Sequence, residues 1–440
     1  MTNEWPRRAL GELIRLQKGV SYKGEFLDQP GPRLLGLGTL VPGGGIKLDE
    51  ARTYSGPIRE DQRIKPGELL VALTDITQEG KVLGTPALVP EEGNGGLAVT
   101  HHVARVIINS PKELEARFLY YLLQGQDFKD YVRGVATGTT VRAVSVADVL
   151  SYDAELPPPA EQRAISRVLG ALDDKIELNR RMNQTLEEIC RALFKFWFVD
   201  FGPVRAKQEG RWKKGESLPG MPVDMWDLWP SEFEGSEIGD IPKGWTIRGL
   251  LEIAALHSGG TPATSEPSYW GGGIPWVSGK DVSSARGSFL LRTERTVSDK
   301  GIAHSHTSPL PARTVVITAR GTVGALAILA EPMCISQTNY GLKAANGVHD
   351  NFLRFAVEGA VEGLQQESYG TIFDTITTKN LSATQVLLPA PPVLAAFADR
   401  TDPLMNGVLM NLSLIETLAE TRDALLPKFL SGEIRVKVDS

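Results

Sequence analysis

Residues 156–201 read LPPPAEQRAISRVLGALDDKIELNRRMNQTLEEICRALFKFWFVDF, a proline hinge followed by a long stretch of helical periodicity. A second passage, LPAPPVLAAFADRTDPLMNGVLMN (388–411), carries the same punctuation. Leu388 stands 232 positions after Leu156, and the same step links Gly138 to Gly370, Asn179 to Asn411, Thr185 to Thr417 and Ala192–Leu193 to Ala424–Leu425. A lag held that steadily marks an internal duplication.

In the first passage Ile165, Leu169, Leu172, Ile176, Asn179, Asn183, Leu186, Cys190, Leu193 and Trp197 fall at alternating steps of four and three, the seam of a coiled coil. The second seam is Phe397, Thr401, Leu404, Val408, Asn411, Ile415, Leu418, Arg422, Leu425 and Phe429, with Thr401 and Arg422 interrupting it. These side chains are expected to carry helix packing or partner contacts. Pro403, after Asp402, reads either as a helix start or as a kink. Asn179 and Asn411 share one seam position. They are expected to pack near a pseudo-twofold axis and fix register, the other reading being a solvated edge of the seam. The aromatic run FKFWFVDF (194–201) reads either as a partner surface or as closure of the protein's own core.

Outward from the helices, residues 1–155 and 241–387 are rich in glycine, proline and short strand-like runs, among them LLVALTDI (69–76), HVARVII (102–108), IPWVSG (274–279) and TVVITA (314–319). Trp5 precedes Arg8–Ala9–Leu10 as Trp245 precedes Arg248–Gly249–Leu250, and FLYYLL (118–123) parallels FLRFAV (352–357). The expected fold is α+β: two similar mixed domains, 1–155 and 241–387, each followed by a long helix, 156–200 and 388–440. Residues 201–240 connect them, and the two helices pack as an antiparallel coiled coil.

With 42% apolar and 23% charged residues the chain reads as soluble and globular. Its longest apolar run falls far short of the ~20 residues that span a bilayer, and its start lacks the pattern of a signal peptide. Two cysteines make no disulfide framework, so a cytoplasmic location is expected. A net charge of −6 argues only mildly against nucleic acid, because charge can be segregated. No phosphate-binding loop, dinucleotide fingerprint or amino-methylation motif is present. His101 and His102, if on a strand, point to opposite faces and cannot easily share a metal, and His304-x-His306 reads as a polar loop. Cys190 reads as a packed seam residue.

The run 156–201 resembles the central conserved region of type I restriction–modification specificity subunits. FGPVRAK…DLWPSEFEGSEIGDIPKGW resembles the lead into their second target-recognition domain. IPWVSGKDV (274–282), ARGTVGALAI (319–328) and LLPKFLSGEI (425–434) look like further landmarks. The departure is PVLAAFAD (392–399), which lacks the Glu161–Gln162 pair of the first copy. The resemblance implies a non-catalytic subunit in which two target-recognition domains each read a short half-site of double-stranded DNA. Two methyltransferase subunits would dock on the helices and methylate adenine, and restriction subunits could join. No cofactor is expected on this chain; S-adenosylmethionine and ATP are expected on the partners. Changing helix length should change the gap in the recognised site, since two readers on one duplex face follow its ~34–36 Å repeat.

Base edges and phosphates are read by Arg, Lys, Asn, Gln, Ser and Thr in polar loops. The candidates in the first domain are Lys18, Tyr22, Lys23, Thr74, Arg133, Thr139, Thr140 and Arg142. Those in the second are Ser258, Thr261, Trp276, Ser278, Lys280, Arg320, Thr322, Gln337, Asn339 and Tyr369, with a core aromatic the other reading of Trp276. Two rival functions are a freestanding nucleic-acid binder without methyltransferase partners, and a self-contained restriction or methylation enzyme. The missing cofactor motifs, and the absence of the Pro-Asp dipeptide common at the start of nuclease carboxylate motifs, count against the second.

Overall fold

The structure is a computed structural model that describes residues 5–436 apart from 77–79, 92–95, 140, 286–287 and 368–374, with the backbone alone at 366–367. The chain divides into two compact units, 1–176 with 417–440, and 177–416. The fold class is α+β, and each unit holds one copy of the repeated globular fold together with parts of both long helices.

In the first unit an antiparallel sheet runs in the order Ile14–Lys18, Val103–Ile108, Leu69–Ala72, Pro86–Leu88. Leu69–Ala72 is apolar throughout and buried at every position, as a strand covered on both faces must be. Pro86 opens the edge strand, where its missing N–H breaks no ladder. Beside this sheet, Arg33–Leu35 pairs in parallel with Leu97–Val99 and antiparallel with Arg52–Thr53. The second unit repeats the plan with Ala254–Ser258, Asn339–Ala344, Val315–Thr318, Leu326–Leu329 and Phe289–Leu290. Its accessory sheet repeats the pairing too: Trp270–Val277 lies parallel to Cys334–Ile335 and antiparallel to Arg295–Val297.

The first long helix is Pro159–Phe194 and the second is Pro391–Leu430. Each begins on proline, whose fixed φ suits a first helical position. Pro403 lies inside the second helix, so Asp402–Pro403 is not its start; the exposed side of the helix tolerates the missing N–H. Every seam position in both helices is buried or partly buried. The helices pair antiparallel. In the second unit Asn183 meets Asn411 and the Val408 carbonyl, while Leu186 reaches Gly407. In the first, Asp173 pairs with Arg422 and Glu161 with Arg435.

The two asparagines of the shared seam position do not bond each other. Asn411 Nδ2 donates to Asn183 Oδ1 at 2.8 Å, not to Asn179. Asn179 is buried, and its Nδ2 has no hydrogen-bond partner among the described residues. The repeat explains this. The equivalent of Asn183 is Ile415, so the mate of the Asn183–Asn411 pair is Asn179 with an apolar residue.

The aromatic run closes the protein's own core. After Phe194 the helix widens into a π-turn, Lys195–Val199, that points Trp197 and Phe198 inward. Trp197 is 0% exposed and packs on Trp229 and Phe397, while Phe198 packs on Trp245, Phe352 and Phe397. Residues 201–240 join the same core through Trp212, Met221, Met225 and Trp229.

The two copies attach their globular parts at matched points. Arg117 reaches the Gly170 carbonyl and Asp174; Asn351 reaches Asp402, 232 positions after Gly170. One step earlier the chemistry diverges. Gln162 bonds the Glu113 and Pro157 carbonyls and the Glu115 N–H, and Glu161 holds Arg435. Their equivalents Val393 and Leu394 are buried and apolar.

Candidate nucleic-acid interface

In the first unit the candidate residues fall at strand ends, in loops and on the helix Gln126–Val135. Lys18 ends the strand Ile14–Lys18 and is exposed, with Tyr22 and Lys23 in the loop beyond. The Tyr22 ring lies 6.1 Å from His101. His101 and His102 sit in a turn, not a strand, with ring centroids 3.9 Å apart, which corrects the expectation of opposite faces. Thr74 Oγ1 is 2.8 Å from His102 Nδ1. Burial and the neighbouring His101 hold the His102 pKa below the usual imidazole value. Arg142–Ala143 pairs with Thr74–Asp75, which joins Arg142 to this group, and Arg142 Nη2 donates to the Arg133 carbonyl at 3.2 Å. Arg133 also pairs with Asp130, and Lys23 stands 3.9 Å from Glu25. Thr139 is exposed; Thr140 lies outside the described residues.

Tyr22, Leu34, Gly36, Arg52, Ile76 and His102 line a cavity of about 290 Å³. Arg52 binds Asp28 with both ends of its guanidinium, Nε at 3.0 Å and Nη2 at 2.5 Å, so its charge is satisfied internally.

In the second unit Thr261 and Gln337 touch through their side chains, bringing the exits of two strands together. Ser258 is exposed and pairs with Tyr340 across the sheet. Ser278 caps the helix Gly279–Ala285 with Asp281, its Oγ donating at 2.6 Å. Lys280 pairs with Glu294 at 2.6 Å, both exposed. Arg320 and Thr322 are exposed on either side of Gly321, whose φ of +82° makes the turn after Val315–Thr318. Tyr369 lies outside the described residues.

Two candidates are corrected. Trp276 is 6% exposed, donates its Nε1 proton to the Gly260 carbonyl at 3.0 Å and packs with Val297 and Cys334. Asn339 is 1% exposed and donates to the Val277 carbonyl, tying two sheets together. Both are structural, because neither presents a polar edge to solvent. His102, beside Thr74, and the exposed Arg295, over the Trp270 ring, lie outside the loops singled out from the sequence. Only the charge and strand setting of Arg295 in LRTERTV could have drawn attention to it.

Among the described residues no group of three or more His, Cys, Asp or Glu is placed to hold a metal, and no helix is long and apolar enough to cross a membrane. The arrangement offers two polar tips built on one topology from different side chains.

Comparison with known proteins agrees with this duplicated plan. The type I restriction modification DNA specificity domain matches twice, at residues 48–188 and 242–399. The specificity subunit of the type I restriction enzyme HindI from Haemophilus influenzae is 23% identical over 480 aligned positions, covering 98% of this chain and 100% of that one. The MjaIX specificity subunit from Methanocaldococcus jannaschii is 26% identical, covering 74% and 71%. The crystal structure of the type I restriction-modification S subunit from M. genitalium superposes with a TM-score of 0.54 at 16% identity, covering 98% and 97%, and so shares the fold. With both copies of its repeat matched, the chain belongs to the type I restriction–modification DNA specificity family.

Proposed function

We propose that the chain is the non-catalytic, DNA-reading subunit of a type I complex. Its two globular copies read the two unlike halves of a split, asymmetric site, and its helices hold two adenine-methyltransferase subunits. S-adenosylmethionine and ATP belong on the partners in this reading, and restriction subunits join the assembly.

The observation that carries it is a repeated apolar surface. Leu178 and Met182 on the first helix are 53% and 41% exposed. Met410 and Leu414, each 232 positions later, are 73% and 39% exposed. The outer face of a paired helix is ordinarily polar, and clustered exposed apolar residues mark interaction surfaces. Apolar residues at matched repeat positions suit two copies of one partner. The buried seam and the buried aromatic run leave this outer face for that role. Unlike tips on a common topology support unlike half-sites.

The test is co-expression with the candidate methyltransferase subunit, followed by genome-wide mapping of methylated adenine. A split motif with a fixed gap is expected. Leu178→Glu with Met410→Glu should abolish the complex while leaving the chain folded. A complex of unchanged affinity would remove this surface from the reading. Failure of the unmodified chain to form a complex or direct methylation would leave a freestanding nucleic-acid binder instead.

A further inference from the structure

Arg295 is exposed at the start of the strand Arg295–Val297. Its guanidinium carbon lies 3.4 Å from the ring centroid of Trp270 and 5.9 Å from that of Trp276. Among the described residues its side chain makes no ion pair or hydrogen bond. The shelf beneath it is rigid. Trp270 Nε1 donates to the Ala263 carbonyl at 3.2 Å, and its ring meets buried Trp276 edge-on at 5.1 Å. The nearest acidic neighbour in sequence, Glu294, is engaged by Lys280.

The first copy shows the alternative. Arg52 occupies the same sheet position: it pairs with Leu34, which pairs in parallel with Ala98, as Arg295 pairs with Trp276 and Trp276 with Cys334. There the guanidinium is held by Asp28. In the second copy an indole face stands where a carboxylate would neutralise the charge. An aromatic face attracts a cation without occupying its N–H donors.

We propose that Arg295 is a DNA contact of the second globular copy, with Trp270 its positioning residue, and that it takes a pair of acceptor atoms. Guanine O6 with N7 and two phosphate oxygens offer the same acceptor chemistry. The proposal rests on the DNA-reading function above. It adds a residue outside the loops singled out from sequence, and an asymmetry between the copies.

The experiment uses the chain assembled with its methyltransferase subunit and a duplex carrying the motif found by methylation mapping, beside a scrambled duplex. Arg295→Gln should weaken cognate binding about tenfold or more, within the range of a lost bidentate contact. If the acceptor is guanine, methylation becomes tolerant at one position of one half-site only, and Arg295→Lys shares the defect. If it is phosphate, both duplexes weaken alike, the salt slope falls by roughly 0.9, and Arg295→Lys restores binding. Trp270→Leu should move the same readout less far. An assembled Arg295→Gln complex with unchanged affinity, salt slope and motif overturns the proposal and leaves the DNA-reading function standing. An unmodified complex that binds neither duplex overturns both.

Discussion

The two copies of the repeat place an arginine at one sheet position and treat it in opposite ways. Arg52 is locked to Asp28, and Arg295 rests on Trp270 with its donors unspent among the described residues. A similar divergence runs along the helices. Glu161 and Gln162 anchor the first helix through hydrogen bonds, whereas Val393 and Leu394 anchor the second through apolar burial. Asn183 finds Asn411, while Asn179 is matched to Ile415. Topology survives duplication because it depends on the spacing of apolar positions, which many residues satisfy. Polar pairings need both partners, and each single change breaks them.

The largest expected effect concerns the end of each long helix. Trp197, which caps the first, is enclosed by other aromatic rings; Phe429, 232 positions later, is its equivalent in the second. Trp197→Ala should cost about 3–5 kcal/mol in denaturant unfolding, within the range for deleting a buried aromatic. A cost below about 1 kcal/mol would mean that the aromatic cluster is dispensable to the second unit.

The asparagines allow a comparison of sign. Asn183→Leu removes a made hydrogen bond and strands Asn411, and should destabilise by about 1–3 kcal/mol. Asn179→Leu removes a buried amide whose Nδ2 has no partner among the described residues, and should be neutral or stabilising by about 1 kcal/mol. Equal losses in both variants would show that Asn179 has a partner after all and that the copies are more alike here than the geometry indicates.

The smallest effect is in the first tip. The His102 pKa is held down in the folded chain, by burial first and then by His101. Below the ordinary histidine value of about 6.5 the unfolded chain therefore takes up a proton that the folded chain refuses. Stability from this group is complete above that pH and is lost as pH falls toward the depressed folded value. Chemical denaturation between pH 7 and 5 should show a slope that His102→Gln reduces. The second tip has Thr338 at the corresponding turn and should contribute no such slope. An unchanged profile would assign the titration elsewhere.

Much of this was written in the sequence alone. The duplication, the two helices and their seam follow from a fixed lag and from alternating steps of four and three, because helix pitch forces that spacing on any side chain that must stay inward. Strands such as Leu69–Ala72 and Val315–Thr318 follow from unbroken apolar runs. Tertiary structure decided what depends on register and partner. Trp276 and Trp270 are both tryptophans of one strand, yet only their places across a β-bulge made one a buried strut and the other a shelf for Arg295. Asn183 rather than Asn179 meets Asn411 because antiparallel packing sets each seam position against the repeat equivalent of the position four residues away, not of itself. Glu161 holds Arg435 across 274 residues, a distance that no local pattern spans. Periodicity is a property of one segment and can be read from it; a hydrogen bond or a cation on a ring needs two segments brought within a few ångströms, and only the folded chain specifies which two.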